Sequence, residues 1–257
     1  PLNELLNNRS LNNIKASGLF AKVDFKLSDE GNYKKNINIT VEEQPTGEIS
    51  AGAGFGTSGK TLTLGIKENN FNGNGVKLNT SLTVATNAVQ GGVNFVIPNY
   101  KYSDKSLDAD ISRTDKDYSK TAGYKNSTNR IAFGTSFEQK EDFYFSPSLE
   151  LKYETLKTSS SASAKLKDQK GDYYDINFIY GLFYDQRNQS FAPTDGFISV
   201  FTQEIPIYSN SYALSNKYEF KSYNQLTENM IGSISVYLNA IHSIGSKDVR
   251  VSERLTL

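Results

Sequence analysis

The sequence has no cysteine, no tryptophan and a single histidine, and its 28 lysines and arginines are cancelled by 28 aspartates and glutamates. Without cysteine there is no disulfide scaffold and no thiolate zinc or redox site, which leaves the compartment open. A lone His242 excludes a multi-histidine metal centre and would leave a Ser-His-Asp arrangement resting on one residue in a strand-like run. Zero net charge removes the basic footprint of a nucleic-acid binder. No apolar run approaches 18 residues and the mean hydropathy is −0.51, so membrane-spanning helices are excluded. A membrane barrel is not, because its strands alternate apolar and polar residues and average to a soluble value. The chain opens on Pro1 with no charged-then-apolar leader and closes on VSERLTL with no turn or cap, so it is expected to be a piece of a longer protein.

What is present falls into two parts. Over residues 1–17, Leu5, Leu6, Leu11 and Ile14 recur at helical spacing, with Gly18 placed as a C-terminal cap. Two short strands follow: Phe20, Val23 and Phe25 lie in one, and Ile37, Ile39 and Val41 alternate with polar residues in the next, with DEGN (29–32) as the turn. This unit ends at Pro45 and is small for an independent domain.

From residue 46 onward the period is two and no helical window stands out. Leu62, Leu64 and Ile66 share a face, as do Val76, Leu78, Leu82 and Val84; Leu107, Ala109 and Ile111; Leu149, Leu151 and Tyr153; Ile176 through Tyr184; and Ile234 through Ala240. Phe197, Ile198, Val200 and Phe201 fall on both faces. About eleven strands fit between Gly47 and Gly245, many reaching the roughly 9–11 residues that a tilted strand needs to cross a bilayer.

Periodicity alone does not separate a soluble sandwich from a membrane barrel. Three details favour the barrel: strands longer than usual, as at 148–157 and 172–187; a polar face rich in glycine and serine; and connections of alternating character. One side would carry turns flanked by Phe71, Tyr100, Tyr102, Phe143, Tyr144 and Phe191, as in an interfacial girdle. The other would carry long polar loops, chiefly 114–129 and 157–171.

GFGTSGKT (54–61) fits the phosphate-cradling loop G-x-x-x-x-G-K-[ST] without mismatch. That chemistry needs a helix after the loop, so that its N-terminus faces the phosphates. Thr61 instead opens TLTLGIK, an alternating strand, and the motif reads as a hairpin turn; no nucleotide is expected. Asp108 and Asp110 share a face as inward charges of a barrel would, and Glu42-Glu43 reads as a strand end. No catalytic constellation emerges: no enzyme activity, no cofactor and no metal are expected.

The stretches NRSLNNIKASGLFAKVDF (8–25), INITVEEQPTGEISAGAGFGTS (37–58) and GIKENNFNGNG (65–75) resemble the BamA family of outer-membrane β-barrel assembly factors. DQRNQSFAPTDG (185–196) resembles that family's D-x-R…P-T-x-G turn between the eighth and ninth strands, and VRVSERLTL (249–257) the start of its long sixth extracellular loop. The resemblance implies a mostly β fold: a partial transmembrane antiparallel barrel, about eleven of sixteen strands, over 46–257, preceded by the end of an α+β POTRA module over 1–45. It implies a location in the Gram-negative outer membrane with the POTRA part in the periplasm. The implied partners are the lipid bilayer, unfolded β-barrel clients and accessory lipoproteins, and the implied activity is insertion of barrels through a lateral seam.

In that picture an incoming strand pairs with the edge of the first strand, which here is Gly47, Ile49, Ser50, Ala51, Gly52, Ala53, Gly54 and Phe55. Its glycines would ease unzipping, or would merely let the barrel curve. Asp185 and Arg187 would bond within the lumen or to the returning loop, or form a plain lumenal ion pair, with Pro193, Thr194 and Gly196 as turn formers. A related translocation pore, a passive channel and a soluble sandwich stand as alternatives.

Overall fold

A computed structural model describes residues 4–29, 31, 35–56, 59–189, 193–228 and 230–254. Helix α1 (Glu4–Ala16) ends where Ser17 donates to the Ile14 carbonyl through both its amide and its hydroxyl, and Gly18 takes φ +72, a left-handed conformation. Strands β1 (Phe20–Asp29) and β2 (Lys35–Glu43) form a two-stranded antiparallel sheet in which Val23, Phe25 and Leu27 face Val41, Ile39 and Ile37. Gln44 ties the end of β2 to the end of the helix: its amide donates to Leu19 O and its side chain to Gly18 O.

The remaining strands make one eleven-stranded antiparallel sheet in strict sequence order. They are β3 (Gly47–Gly56), β4 (Gly59–Phe71), β5 (Val76–Ala85), β6 (Ala88–Ile97), β7 (Lys105–Tyr118), β8 (Tyr124–Lys140), β9 (Phe143–Thr158), β10 (Gly171–Asp185), β11 (Gly196–Tyr208), β12 (Ala213–Thr227) and β13 (Met230–Ser243). The strand count and the position of the 186–195 connection, between the eighth and ninth strands of this sheet, match the expectation from sequence. β3 and β13 are its two edges.

The two faces differ in kind. On one, Ile49, Leu62, Leu64, Leu82, Val84, Ile111, Ile131, Leu149, Leu151, Ile234 and Leu238 all stand exposed. On the other, Glu150, Lys152, Glu154, Asp175 and Asn177 are buried. Among the described residues only Tyr124, Leu156 and Ala162 are buried apolar groups. A soluble sandwich buries its apolar face against a second sheet and leaves its charges in water; this sheet does the reverse.

Three expectations are corrected. Residues 114–129 are not a long loop, because β7 and β8 run on to Tyr118 and Tyr124 and leave only 119–123 as a turn. Polar pairing carries the ladder past the apolar rows: Arg113 with Asp115, and Lys125 with Asp117. A short helix, α2 (Ala164–Lys167), interrupts the 159–170 loop, its first turn capped by the Ser163 hydroxyl accepting from Leu166 N; Tyr100–Tyr102 form a tight turn in which Lys101 and Tyr102 take positive φ. The two sides also do not divide into short turns and long loops, since 186–195 lies on the α1 side and the tight 86–87 turn on the other.

The girdle is partly redrawn. Phe143 packs on Tyr184, and Phe71 on Phe95, on the apolar face, whereas Tyr144, next in the strand, shares the polar face with Ser146 and Ser148. Phe191 lies outside the described residues. A longer aromatic chain runs from Phe137 through Phe145, Tyr180 and Phe201. The two-faced run in β11 resolves as Phe197 and Phe201 on this apolar face, with Ile198 and Val200 opposite.

Candidate functional site

β3 pairs with β4 alone, from Gly47↔Glu68 to Gly56↔Gly59. Its second edge is unused by any described strand, so a row of main-chain donors and acceptors is open there. Ile49, Ala51, Ala53 and Phe55 lie on the apolar face; Ile49 is 84% and Phe55 86% exposed. Ser50, Gly52 and Gly54 lie on the polar face. A Cβ built at Gly52 or Gly56 meets nothing within 4 Å, so contacts do not require glycine there. At Gly54 it would come 3.3 Å from Thr61 Oγ1, and at Gly47 2.9 Å from Glu68 Oε2, the tip of a flexible side chain. Gly59 through Thr61 begin β4, so Lys60 and Thr61 of the phosphate-loop match stand in a strand rather than at a helix N-terminus; Thr57 and Ser58 lie outside the described residues.

The 185–196 turn sits seven strands from β3, and the structure does not bring the two sets of residues together. Arg187 grips Asp185 through Nε–Oδ1 at 2.8 Å and Nη2–Oδ2 at 2.7 Å. This hydrogen-bonded partner holds the guanidinium above its ordinary pKa, against a smaller opposing effect of burial. Asn188, which sequence reasoning passed over, organises the rest: its Oδ1 accepts from Thr194 N and Asp195 N, and its Nδ2 donates to Thr194 Oγ1 at 2.7 Å. Gly196 has φ +92, and a Cβ there would fall 2.1 Å from Gln186 O. Only glycine fits. Pro193 precedes this bonded stretch.

The returning segment after β13 is held elsewhere. Arg250, 2% exposed, reaches the polar face of β9 and β10, where it bonds Asp175 and lies 2.5 Å from Glu253 Oε1 and 3.8 Å from Glu154 Oε2. Lys152 Nζ completes the cluster, 3.1 Å from Asp175 and 2.7 Å from Glu253. The Tyr173 ring lies 4.6 Å from the guanidinium carbon, a cation–π distance, and Ser209 donates to Asp175. Burial by itself would lower the Arg250 pKa, but Glu253 and Asp175 outweigh it and hold it above the ordinary value. The segment is tied further by Val251 N to Gln169 Oε1 and by the Lys165–Asp248 pair at 2.7 Å. Asp185 and Arg187 thus pair with each other, one of the readings open to them, and the contact to the returning segment is made by Asp175, Lys152 and Glu154. Their signal in the sequence was the charged alternation Glu150, Lys152, Glu154. Among the described residues no group of three histidines or carboxylates is placed to hold a metal ion.

An eleven-stranded sheet in sequence order, with charge inside and aliphatic side chains outside, is half of a recognisable architecture. The Omp85 superfamily domain matches residues 70–257. The chain belongs to the Omp85 superfamily. Its fold is that of the crystal structure of BamA from Haemophilus ducreyi lacking POTRA domains 1–3, with a TM-score of 0.75 at 20% identity over 96% of this chain and 51% of that one. CdiB from Acinetobacter baumannii aligns with a TM-score of 0.53 at 10% identity, over 89% of this chain and 45% of that one. The Omp85 chain thus spans about half the length of the solved structures it matches. No curated protein sequence matches it.

Proposed function

We propose that this Omp85 chain is part of an outer-membrane insertase, which folds β-barrel clients into the bilayer through a seam at β3. In this reading α1, β1 and β2 are the end of a periplasmic POTRA module over residues 1–45, and 46–257 is barrel wall. The apolar face meets lipid and the polar face lines the lumen, because a sheet satisfies its backbone within hydrocarbon only when closed into a barrel. The protein sits in the outer membrane of a Gram-negative bacterium and works with accessory lipoproteins.

The observation that carries the reading is the β3 edge. It offers a row of main-chain groups beside the small side chains of Ser50 to Gly54, and at Gly52 and Gly56 glycine answers no packing demand. An edge of this kind binds an incoming strand through its backbone and so accepts many client sequences, with no catalytic group and no cofactor. Unzipping such a strand costs less than unzipping one with packed side chains.

The test is a proline scan from Ile49 to Phe55 in the full-length protein, read by insertion of a client barrel into vesicles. Proline at positions whose N–H faces the free edge should abolish insertion while the protein itself still folds. Normal insertion throughout the scan would sink the edge mechanism. A second reading, a translocation pore, draws on the weaker likeness to CdiB; ion conductance without client insertion would favour it.

A further inference from the structure

β3 has little side-chain contact to hold it on β4. On the polar face Ser50 stands opposite Gly65, Gly52 opposite Thr63 and Gly54 opposite Thr61; on the apolar face Ala51 and Ala53 stand opposite Leu64 and Leu62. Cross-strand side-chain pairs stabilise a sheet, and a ten-residue strand with four glycines and two alanines supplies few of them. A strand that serves as a template must nevertheless stay on β4 while its other edge changes partners. Pairing this weak does not by itself decide which side gives way.

The two ends of β3 are held instead. Far from α1 the closing pair Gly56↔Gly59 leaves only positions 57–58 between the strands, and so short a connection fixes the register. At the α1 end the hold is Glu68. Its Oε1 accepts from the Thr46 hydroxyl and, at 2.7 Å, from Asn70 N. Asn69 adds two bonds to the Thr46 carbonyl, from its amide at 3.2 Å and from Nδ2 at 3.4 Å. Gly47 leaves room for the carboxylate, whose Oε2 lies 2.9 Å from where a Cβ would stand. On its other side Thr46 follows Pro45, whose ring fixes φ, and Gln44, which is bonded to Leu19 O and Gly18 O. The residue that leads into β3 is thereby tied to the end of β4 by three hydrogen bonds.

We propose that Glu68 is a positioning residue of the β3 edge: by holding Thr46 it keeps β3 on β4 while the free edge exchanges partners. An incoming strand is then added to the sheet and does not displace β3 from it. Strands separate pair by pair from an end, and the end nearest α1 is the one that Glu68 closes. Glu68 touches no client in this role and acts through Thr46 alone. The inference rests on the insertase reading given above.

Three variants of the full-length protein provide the test. E68A removes the acceptor, T46V removes only the hydroxyl donor and leaves the bond from Asn70 N in place, and E68Q keeps an acceptor oxygen. Client insertion into vesicles is measured beside amide hydrogen exchange of the client-free protein in detergent. Alternate amides of an antiparallel strand point to one neighbour, and the Asn69 N–Thr46 O bond turns those of Glu48, Ser50, Gly52 and Gly54 toward β4. In E68A and T46V, exchange at Glu48 and Ser50 should rise about tenfold, the weight of one hydrogen bond, with Gly54 unchanged near its turn. Insertion should slow by a similar factor while the heat-modifiable gel mobility of the folded barrel is kept, and E68Q should match the wild type in both measurements. Wild-type insertion in E68A and T46V overturns the proposal, as does faster exchange spread evenly over β3, which would mean general destabilisation. Failure of E68Q alongside E68A would make charge the cause and overturns it too. A wild-type protein that inserts no client removes the insertase reading itself, and the positioning role with it.

Discussion

Arg250 and Asp175, 75 residues apart in the sequence, meet as a buried hydrogen-bonded ion pair on the polar face of the sheet. Around them Lys152, Glu154 and Glu253 complete a cluster of two cations and three carboxylates, with Arg250 Nε and Nη1 and Glu253 Oε2 left without hydrogen-bond partners. Such a cluster is conditionally stable: charge removed from one side is not replaced by water.

Removing one member should therefore cost far more than a surface ion pair would. R250A leaves Asp175, Glu154 and Glu253 with Lys152 alone, and should destabilise the folded state by about 3–5 kcal/mol. A double-mutant cycle with D175N, read by thermal unfolding in detergent, should show the two losses to be less than additive. Limited proteolysis should cut 244–254 in R250A before any barrel strand.

Gly196 should tolerate no side chain. A Cβ there would stand 2.1 Å from Gln186 O in a backbone already at φ +92, so G196A should lower folding yield sharply, as heat-modifiable gel mobility would report. N188A removes the exposed bonds to Thr194 and Asp195 and should cost about 0.5–1.5 kcal/mol.

Gly52 is the contrasting case. Its Cβ position is open, so G52A should leave stability unchanged or raise it by about 0.5–1 kcal/mol. Client insertion should slow nonetheless, because the strand that must unzip has become stiffer. A G52A protein that inserts clients at the wild-type rate would assign the glycine to curvature alone.

Lys165 lowers the pKa of Asp248 below its ordinary 3.8, first by a hydrogen bond and then by its charge. A depressed carboxylate contributes stability above its unfolded pKa and loses it as pH falls through the folded one. The link between the 159–170 loop and the returning segment should hold constant from pH 5 to neutrality. Cleavage of the loop by an acid-active protease should rise only below about pH 4, and in K165Q the rise should begin at higher pH.

Much of the sheet was legible because its causes are local. The alternation of Leu62, Leu64 and Ile66, or of Leu149 and Leu151, sets the strand period, and the turn residues set the strand order; in a sheet where every neighbour in space is a neighbour in sequence, that order is the topology. Gly18 as a helix cap and the 54–61 match as a hairpin followed from the same short-range chemistry. The candidate edge strand Gly47–Phe55 was likewise visible as a glycine-rich alternation.

What the sequence left undetermined depends on cross-strand register. The 114–129 segment carries the charges of a solvated loop, and only the register that sets Asp117 opposite Lys125 makes it strand. Tyr144 has the chemistry of a girdle residue, and the pleat assigns it to the polar face. No local signal joins Arg250 to Asp175. Composition and period alone specified a long polar-and-apolar sheet. Tertiary structure decided which charges lie inside it, because a charge is stable in the interior only where a distant segment returns to neutralise it.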